Sequence, residues 1–218
     1  MAGPRELQSA IAPQAYPASA VLAAVGLLAL GLGWSWPALG ALGLALANLA
    51  FFRNPSRVIP QGDRQVVSPA DGRVVEVTKL DDPDEFVGPA WRIAIFLSVF
   101  DVHINRAPFS GRVRAVRRRG GRFLAAFRSD ASEHNVQLRL DLEGPDGTRI
   151  GVSQITGLIA RRIVCHASEG GTLERGEPYG LICYGSRAEV YLPIRSEIAV
   201  RPGDRVRGGA TILAEVPA

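Results

Sequence analysis

Positions 7 to 52 carry no charged side chain, and this limits what the start of the 218-residue chain can become. Ala18 to Leu32 is one apolar run, Trp34-Ser35-Trp36-Pro37 interrupts it, and Ala38 to Phe52 is a second. As helices of roughly 16 residues, each run reaches about 24 Å, short of the ~30 Å hydrocarbon core of a bilayer. Two arrangements fit: a hairpin of two short spans, or a re-entrant hairpin that dips in and returns. Both leave the two ends on the same side. Arg5 precedes the hairpin and Arg53 and Arg57 follow it, so the positive-inside bias places both ends in the cytoplasm. Trp34 and Trp36 suit an interfacial turn. A secretory signal cut near Ala38-Leu39-Gly40-Ala41 is the alternative, but a second apolar run follows that cut. A buried core helix pair would rarely go so long without a charge. The expected organisation is a polar, proline-rich segment over residues 1–17, a membrane hairpin over 18–52, and a further domain over 53–218.

After Arg53-Asn54-Pro55 the texture changes to short Val/Ile/Arg-rich runs cut by Gly, Pro and Asp, a β pattern with turns at short intervals. Ser68-Pro69-Ala70-Asp71-Gly72 reads as a turn before a strand from Arg73 to Thr78. Ala90 to Phe100 reads as a central strand, with Asp101-Val102-His103 at its end. Val136 to Leu142 and Arg149 to Ile155 read as a hairpin. Ser129 to Asn135 reads as a polar turn, which makes His134, like His166, a surface or turn residue. The one weak helix candidate in this domain lies near Gly157-Leu158-Ile159-Ala160-Arg161. The expected fold class is mainly β, or α+β with the helical hairpin counted.

Lys79 is the single lysine among 25 basic residues. It precedes the loop-like Asp81-Asp82-Pro83-Asp84 and lacks flanking methionines. That argues against pyridoxal phosphate, which needs a Schiff-base lysine, and against a lipoyl or biotinyl carrier. Cys165 and Cys183 sit in apolar runs and read as buried thiols rather than a disulfide framework. Two cysteines and three scattered histidines lack metal-ligand spacing, so no metal is expected. Between Val102 and Ser129 there are eight arginines and no acidic residue. This is a solvated basic face or a surface for a polyanion. No nucleic-acid motif accompanies it, and beside a membrane hairpin an anionic lipid surface is the better partner, with ~1 kcal/mol of attraction per arginine. Arg106, Arg117, Arg118 and Arg119 are the candidate lipid-surface residues.

Gly185-Ser186 lies inside the strand-like run Leu181 to Pro193. A glycine within a strand pattern marks a bulge, a bend or a close backbone approach. A serine held there can attack the preceding carbonyl, replace the amide by an ester, and cut the chain by β-elimination, leaving a pyruvoyl ketone after loss of ammonia. The stretch resembles the self-cleavage segment of phosphatidylserine decarboxylases in their short bacterial and archaeal form. Three further stretches resemble that family in the same order: Val67 to Val74, Phe96 to Gly111 and Gln154 to Cys165. Ser68 to Thr78 and Val200 to Val216 also resemble the halves of a barrel-sandwich hybrid, so the two are expected to pack together.

The resemblance implies that Ser186 becomes the pyruvoyl group, that no other cofactor is needed, and that the cut at Gly185-Ser186 leaves chains of 185 and 33 residues. It implies a substrate, phosphatidylserine, whose amine condenses with the ketone and whose carboxylate leaves as CO2. His103 matches a family histidine linked to decarboxylation and is the candidate acid for Cα. Asp71 matches an aspartate that, in the longer forms, works with a second histidine and the serine in self-cleavage. That second histidine is Arg106 here, and arginine cannot serve as a base. Either His103 serves both steps or another residue, such as His134, activates Ser186. The implied partners are the anionic membrane surface, the two chains of one precursor and further copies in a homo-oligomer, on the cytoplasmic face of the cell membrane. Two other readings compete: an unprocessed, membrane-anchored adaptor, and a serine hydrolase using Ser186 and His103, for which the Gly-x-Ser-x-Gly elbow is missing.

Overall fold

A computed structural model describes Leu7 and residues 9–81, 88–126, 131–158, 162–183 and 186–217. The chain divides into two compact units, one of residues 4–56 and one built on residues 57–218.

The first unit is a helical hairpin. α1 (Tyr16–Gly31) and α2 (Ser35–Phe51) are joined by a turn at Gly33, whose φ of 79° suits glycine. Neither helix has a charged side chain in its first or last turn, and most of their leucines and valines face outward. Polar groups clamp the two together. Asn48 Nδ2 donates to Ser19 Oγ at 2.9 Å and to the Ala15 carbonyl at 3.0 Å. Small residues let the helices approach: a Cβ on Gly26 would lie 2.8 Å from Leu42 Cγ, the close packing typical of helices in lipid. With its first turn, Pro13–Gly31 is long and apolar enough to cross a membrane by length and composition. The 17 residues of α2 fall short of that length. Trp34 and Trp36 are exposed at the turn.

The second unit is built from antiparallel strands. Eight form one sheet in the order β13 (Arg205–Val206), β2 (Gly72–Leu80), β3 (Ala90–Leu97), β11 (Ser186–Pro193), β7 (Arg149–Ile155), β6 (Gln137–Glu143), β5 (Gly111–Arg119) and β9 (Thr172–Leu173). Two three-stranded sheets complete it. One is β1 (Gln65–Val67), β14 (Ile212–Glu215) and β12 (Glu197–Ile198); the other is β4 (Ile104–Arg106), β10 (Pro178–Ile182) and β8 (Ile163–Cys165).

Side chains alternate across a strand, and one face of the large sheet is apolar. Val74, Ile93, Ile95, Leu97, Ala188 and Val190 pack with Val66, Leu213 and Ala214 of the first small sheet. Val113, Leu138, Leu140, Leu142 and Val152 pack with Ala107 and Tyr179 beside and within the second. Each small sheet thus covers one half of the same face, and each fully buried aliphatic side chain there is worth about 1.5–3 kcal/mol.

The segments around residues 68–78 and 200–216 do pack together. Arg205 pairs with Arg73, the Ser68 amide donates to the Thr211 carbonyl at 2.8 Å, and the Gly209 amide donates to the Ser68 carbonyl at 2.8 Å. The expected polar turn over 129–135 contains a one-turn helix, α3 (Ala131–His134). Of the weak helix candidate over 157–161, Gly157 and Leu158 are not helical and residues 159–161 lie outside the described residues.

Candidate active site

Ser186 opens β11 in the middle of the large sheet, where it sits opposite Leu97 of β3. Cross-strand partners share a face, so Ser186 points with Leu97 and Ala188 into the apolar layer. It is fully buried, and its Oγ has no hydrogen-bond partner among the described residues. A buried hydroxyl without a partner costs roughly 1–3 kcal/mol, a cost that requires an explanation. Gly185 lies outside the described residues, as does Tyr184. Upstream, β10 belongs to the second small sheet and ends at Ile182, whose amide donates to the His103 carbonyl at 3.2 Å. Residues 183–185 therefore carry the chain from one sheet to another, with His103 at the departure point.

His103 is 2% exposed. Its Nδ1 lies 2.9 Å from the Asp101 carbonyl. A carbonyl only accepts, so this contact places the neutral ring's proton on Nδ1 and makes Nε2 the nitrogen that can take up a proton. The Asp101 carboxylate is in turn held by the Ser98 amide at 2.8 Å and the Ser98 hydroxyl at 2.7 Å.

Asp71 is in another cluster. Its carboxylate accepts two bonds from Arg57 Nη2, at 2.8 and 3.0 Å, and one from the Gly208 amide at 2.8 Å. Gly72 follows it with φ 152°, where a Cβ would overlap the Phe96 carbonyl, so the turn closes onto β3 only with glycine. Arg106 joins this cluster instead of the basic surface expected for it. It is buried, its amide donates to the Pro69 carbonyl at 2.9 Å and its Nη1 to the Gly176 carbonyl at 3.0 Å. Burial lowers its pKa, Arg57 lowers it further, and Asp71 opposes both. No hydrogen bond joins Asp71 to Ser186.

The remaining arginines lie on β5. Arg117, Arg118 and Arg119 are exposed, but Arg117 Nη1 bonds Asp141 at 2.5 Å and Arg119 Nη2 donates to the carbonyls of Ser132 and Glu133. His134 is exposed at the end of α3. That helix packs through Ser132 on Glu189, on the face of the sheet opposite the Ser186 side chain. Cys165 and Cys183 are free thiols whose pKa values are raised by burial. Among the described residues no group of three His, Cys, Asp or Glu side chains could hold a metal ion.

Two features around Ser186 were not apparent from the residues alone. The first is a charged strip on the other face of β11. Arg187 Nε donates to Glu189 Oε1 at 2.6 Å and Arg187 Nη2 to Glu76 Oε2 at 2.9 Å. Ser132 Oγ and the Tyr191 hydroxyl donate to Glu189 at 2.6 and 2.7 Å. Burial pushes the Tyr191 phenol up, and Glu189 adds to this. For Glu76 burial alone would raise the pKa, but bonds from Arg92, Arg187 and Thr78 bring it down to about 2. The signal was the polar alternation Arg187, Glu189, Tyr191, which reads as a solvent face; only the fold shows that it is covered. The second is an amide pair between the sheets, in which Gln154 Nε2 donates to Asn105 Oδ1 at 2.7 Å. Gly180 makes room for it, since a Cβ there would lie 3.1 Å from Gln154 Nε2.

Comparison with known proteins gives a consistent result. The sequence model described as phosphatidylserine decarboxylase matches residues 44–214. A phosphatidylserine decarboxylase proenzyme of Symbiobacterium thermophilum is 47% identical over 209 residues, covering 95% of this chain and 96% of its own. One of Saccharopolyspora erythraea is 45% identical over 186 residues, covering 83% and 79%. One of Erythrobacter litoralis is 42% identical over 219 residues, covering 95% and 88%.

Proposed function

Because the chain belongs to the phosphatidylserine decarboxylase family, we propose that it converts phosphatidylserine to phosphatidylethanolamine at a pyruvoyl group made from its own Ser186. The observation that carries this reading is the buried, unpartnered Ser186 Oγ at the point where the chain crosses between sheets. In maturation, Oγ bonds to the Gly185 carbonyl carbon and the Gly185–Ser186 C–N bond breaks. The ester then leaves by β-elimination as the Gly185 carboxylate, and water releases ammonia from the new N-terminus. Ser186 fits the product: it is fixed by pairing with Leu97, and Arg187 is paired on both sides, with Phe96 and Ile155. When present, the group supplies a ketone that condenses with the lipid's amine and draws electrons from Cα as CO2 departs.

The rest is the work of the chain's own side chains. His103, with Nδ1 committed to the Asp101 carbonyl, is the proton carrier through Nε2, first from the Ser186 hydroxyl and then to Cα. His134 is exposed at the end of α3, a helix that packs on the opposite face through Ser132, which favours His103 for both steps. Asp71 supports maturation indirectly, by holding Arg57 and the Gly208 amide around the Ser-Pro-Ala-Asp-Gly turn. The apolar hairpin anchors the enzyme to the cell membrane with the β unit on the cytoplasmic face, and the exposed β5 arginines meet anionic headgroups.

Intact mass under denaturing conditions tests the proposal. Active wild-type protein should give pieces of 185 and 33 residues, the smaller one lighter by one ammonia than a peptide beginning with serine. Ser186→Ala should stay in one piece and be inactive. A single uncut polypeptide with full decarboxylase activity would overturn it.

A further inference from the structure

The amide pair between the sheets is incompletely bonded. Asn105 and Gln154 are both fully buried. Their one mutual bond uses Asn105 Oδ1 and Gln154 Nε2. Among the described residues Asn105 Nδ2 and Gln154 Oε1 are left without partners. A buried polar atom in that condition has lost water without gaining a partner, and the bonded pair leaves over one donor and one acceptor.

Their position ties them to Ser186. Gln154 is opposite Ala188 on the neighbouring strand, so Ser186 is its diagonal neighbour on the same face, at the roughly 7–8 Å typical of such residues. Asn105 is two residues beyond His103, inside β4, and pairs with Gly180 of β10. Ser186, Asn105 and Gln154 each carry a buried polar atom without a partner among the described residues, and Ser186 and Gln154 share the face of the large sheet that the small sheets cover.

We propose that Asn105 and Gln154 form the subsite that reads the amino-acid end of the lipid headgroup, Asn105 Nδ2 donating to its carboxylate and Gln154 Oε1 accepting from its amine. This rests on the decarboxylase reading above. An α-amino acid presents an acceptor and a donor on one carbon, which matches the leftover pair. The neutrality of the subsite also suits the reaction. An arginine would stabilise the carboxylate in the ground state and hold it back from leaving as CO2; an amide orients it while stabilising that charge less. Phosphatidylethanolamine, lacking the carboxylate, makes no bond to Asn105, so the subsite separates substrate from product.

Asn105→Asp tests this, because aspartate can still accept from Gln154 but sets a carboxylate against a carboxylate. A denaturing gel should show normal chain scission. With short-chain phosphatidylserine, KM should rise at least about tenfold, the loss of one hydrogen bond to a charged group, while inhibition by short-chain phosphatidylethanolamine stays as in wild type. An unchanged KM in the cut variant, or equal weakening toward both lipids, would overturn the assignment. A folded but uncut variant would also overturn it, by assigning the amides to chain scission. Wild-type protein provides a check independent of any variant's folding. Short-chain phosphatidylserine methyl-esterified on its carboxyl should compete no better than phosphatidylethanolamine, and competition as strong as that of phosphatidylserine would refute the carboxylate contact. Failure of the decarboxylase reading itself would look different, as wild-type protein that remains uncut.

Discussion

Arg187 and Glu189, two residues apart on β11, share a 2.6 Å ion pair that is closed to solvent. The bond lies one residue from Ser186 and on the reverse of the strand. It therefore holds the start of β11 without entering the space where Ser186 points. Taking two charges out of water is costly, and the pair is tolerable because Glu76 accepts from Arg187 while Ser132 and Tyr191 donate to Glu189.

Removing one partner should therefore cost more than removing both. Arg187→Met leaves Glu189 buried without the guanidinium bonded to it, and a loss of about 3–5 kcal/mol is expected. Arg187→Met combined with Glu189→Leu should recover part of it. Urea unfolding of the three proteins, read as midpoints at constant slope, checks the order.

Acid should weaken the same network in a defined window. Glu76 titrates at about 2 in the folded chain, against 4.5 for an unperturbed glutamate. A depressed folded pKa means that stability is fully present above about pH 4.5 and is lost as pH falls toward 2. Glu76→Gln should flatten the fall in melting temperature over that interval and lower the melting temperature at neutral pH.

His103→Ala should abolish decarboxylation. If His103 also takes the proton from Ser186, the variant should accumulate as the uncut precursor; a variant that is cut but inactive would confine His103 to the second step. The gel and the CO2 assay separate the two outcomes.

Asp71→Asn should act through architecture. Asparagine keeps an acceptor for the Gly208 amide but leaves Arg57 and the buried Arg106 without the carboxylate that compensates them. The expected result is a loss of stability of about 1–3 kcal/mol with slow scission. Once cut, the variant should decarboxylate at nearly the wild-type rate per cut chain.

After scission the two chains should travel together. The 33-residue piece supplies β11, which pairs with β3 and β7, as well as β12, β13 and β14. Native gel filtration should give one peak containing both pieces, and only denaturant should part them.

Much of this was legible in the residues. The uncharged run over 7–52 permits little besides apolar helices, and they form. The alternation of Leu138, Leu140 and Leu142 with polar residues marks a strand with one apolar face, and that face is buried in β6. Arg106 was misplaced for a physical reason: charge argues for solvent unless a specific carbonyl and carboxylate await it, and Gly176 and Asp71 are distant in sequence. The burial of Arg187 and Glu189 has no local signature either, because period-two polarity cannot distinguish water from a covering helix as short as α3. The partnership of Asn105 with Gln154 links residues 49 positions apart, and no local pattern announces it.

The change of sheet between Ile182 and Ser186 has a mechanical consequence. In the precursor, two separately stitched anchorages are tied to each other by a tether of only three residues. The proposed scission would untie them while each keeps its own stitching, so the two new ends could separate without a hinge elsewhere in the chain.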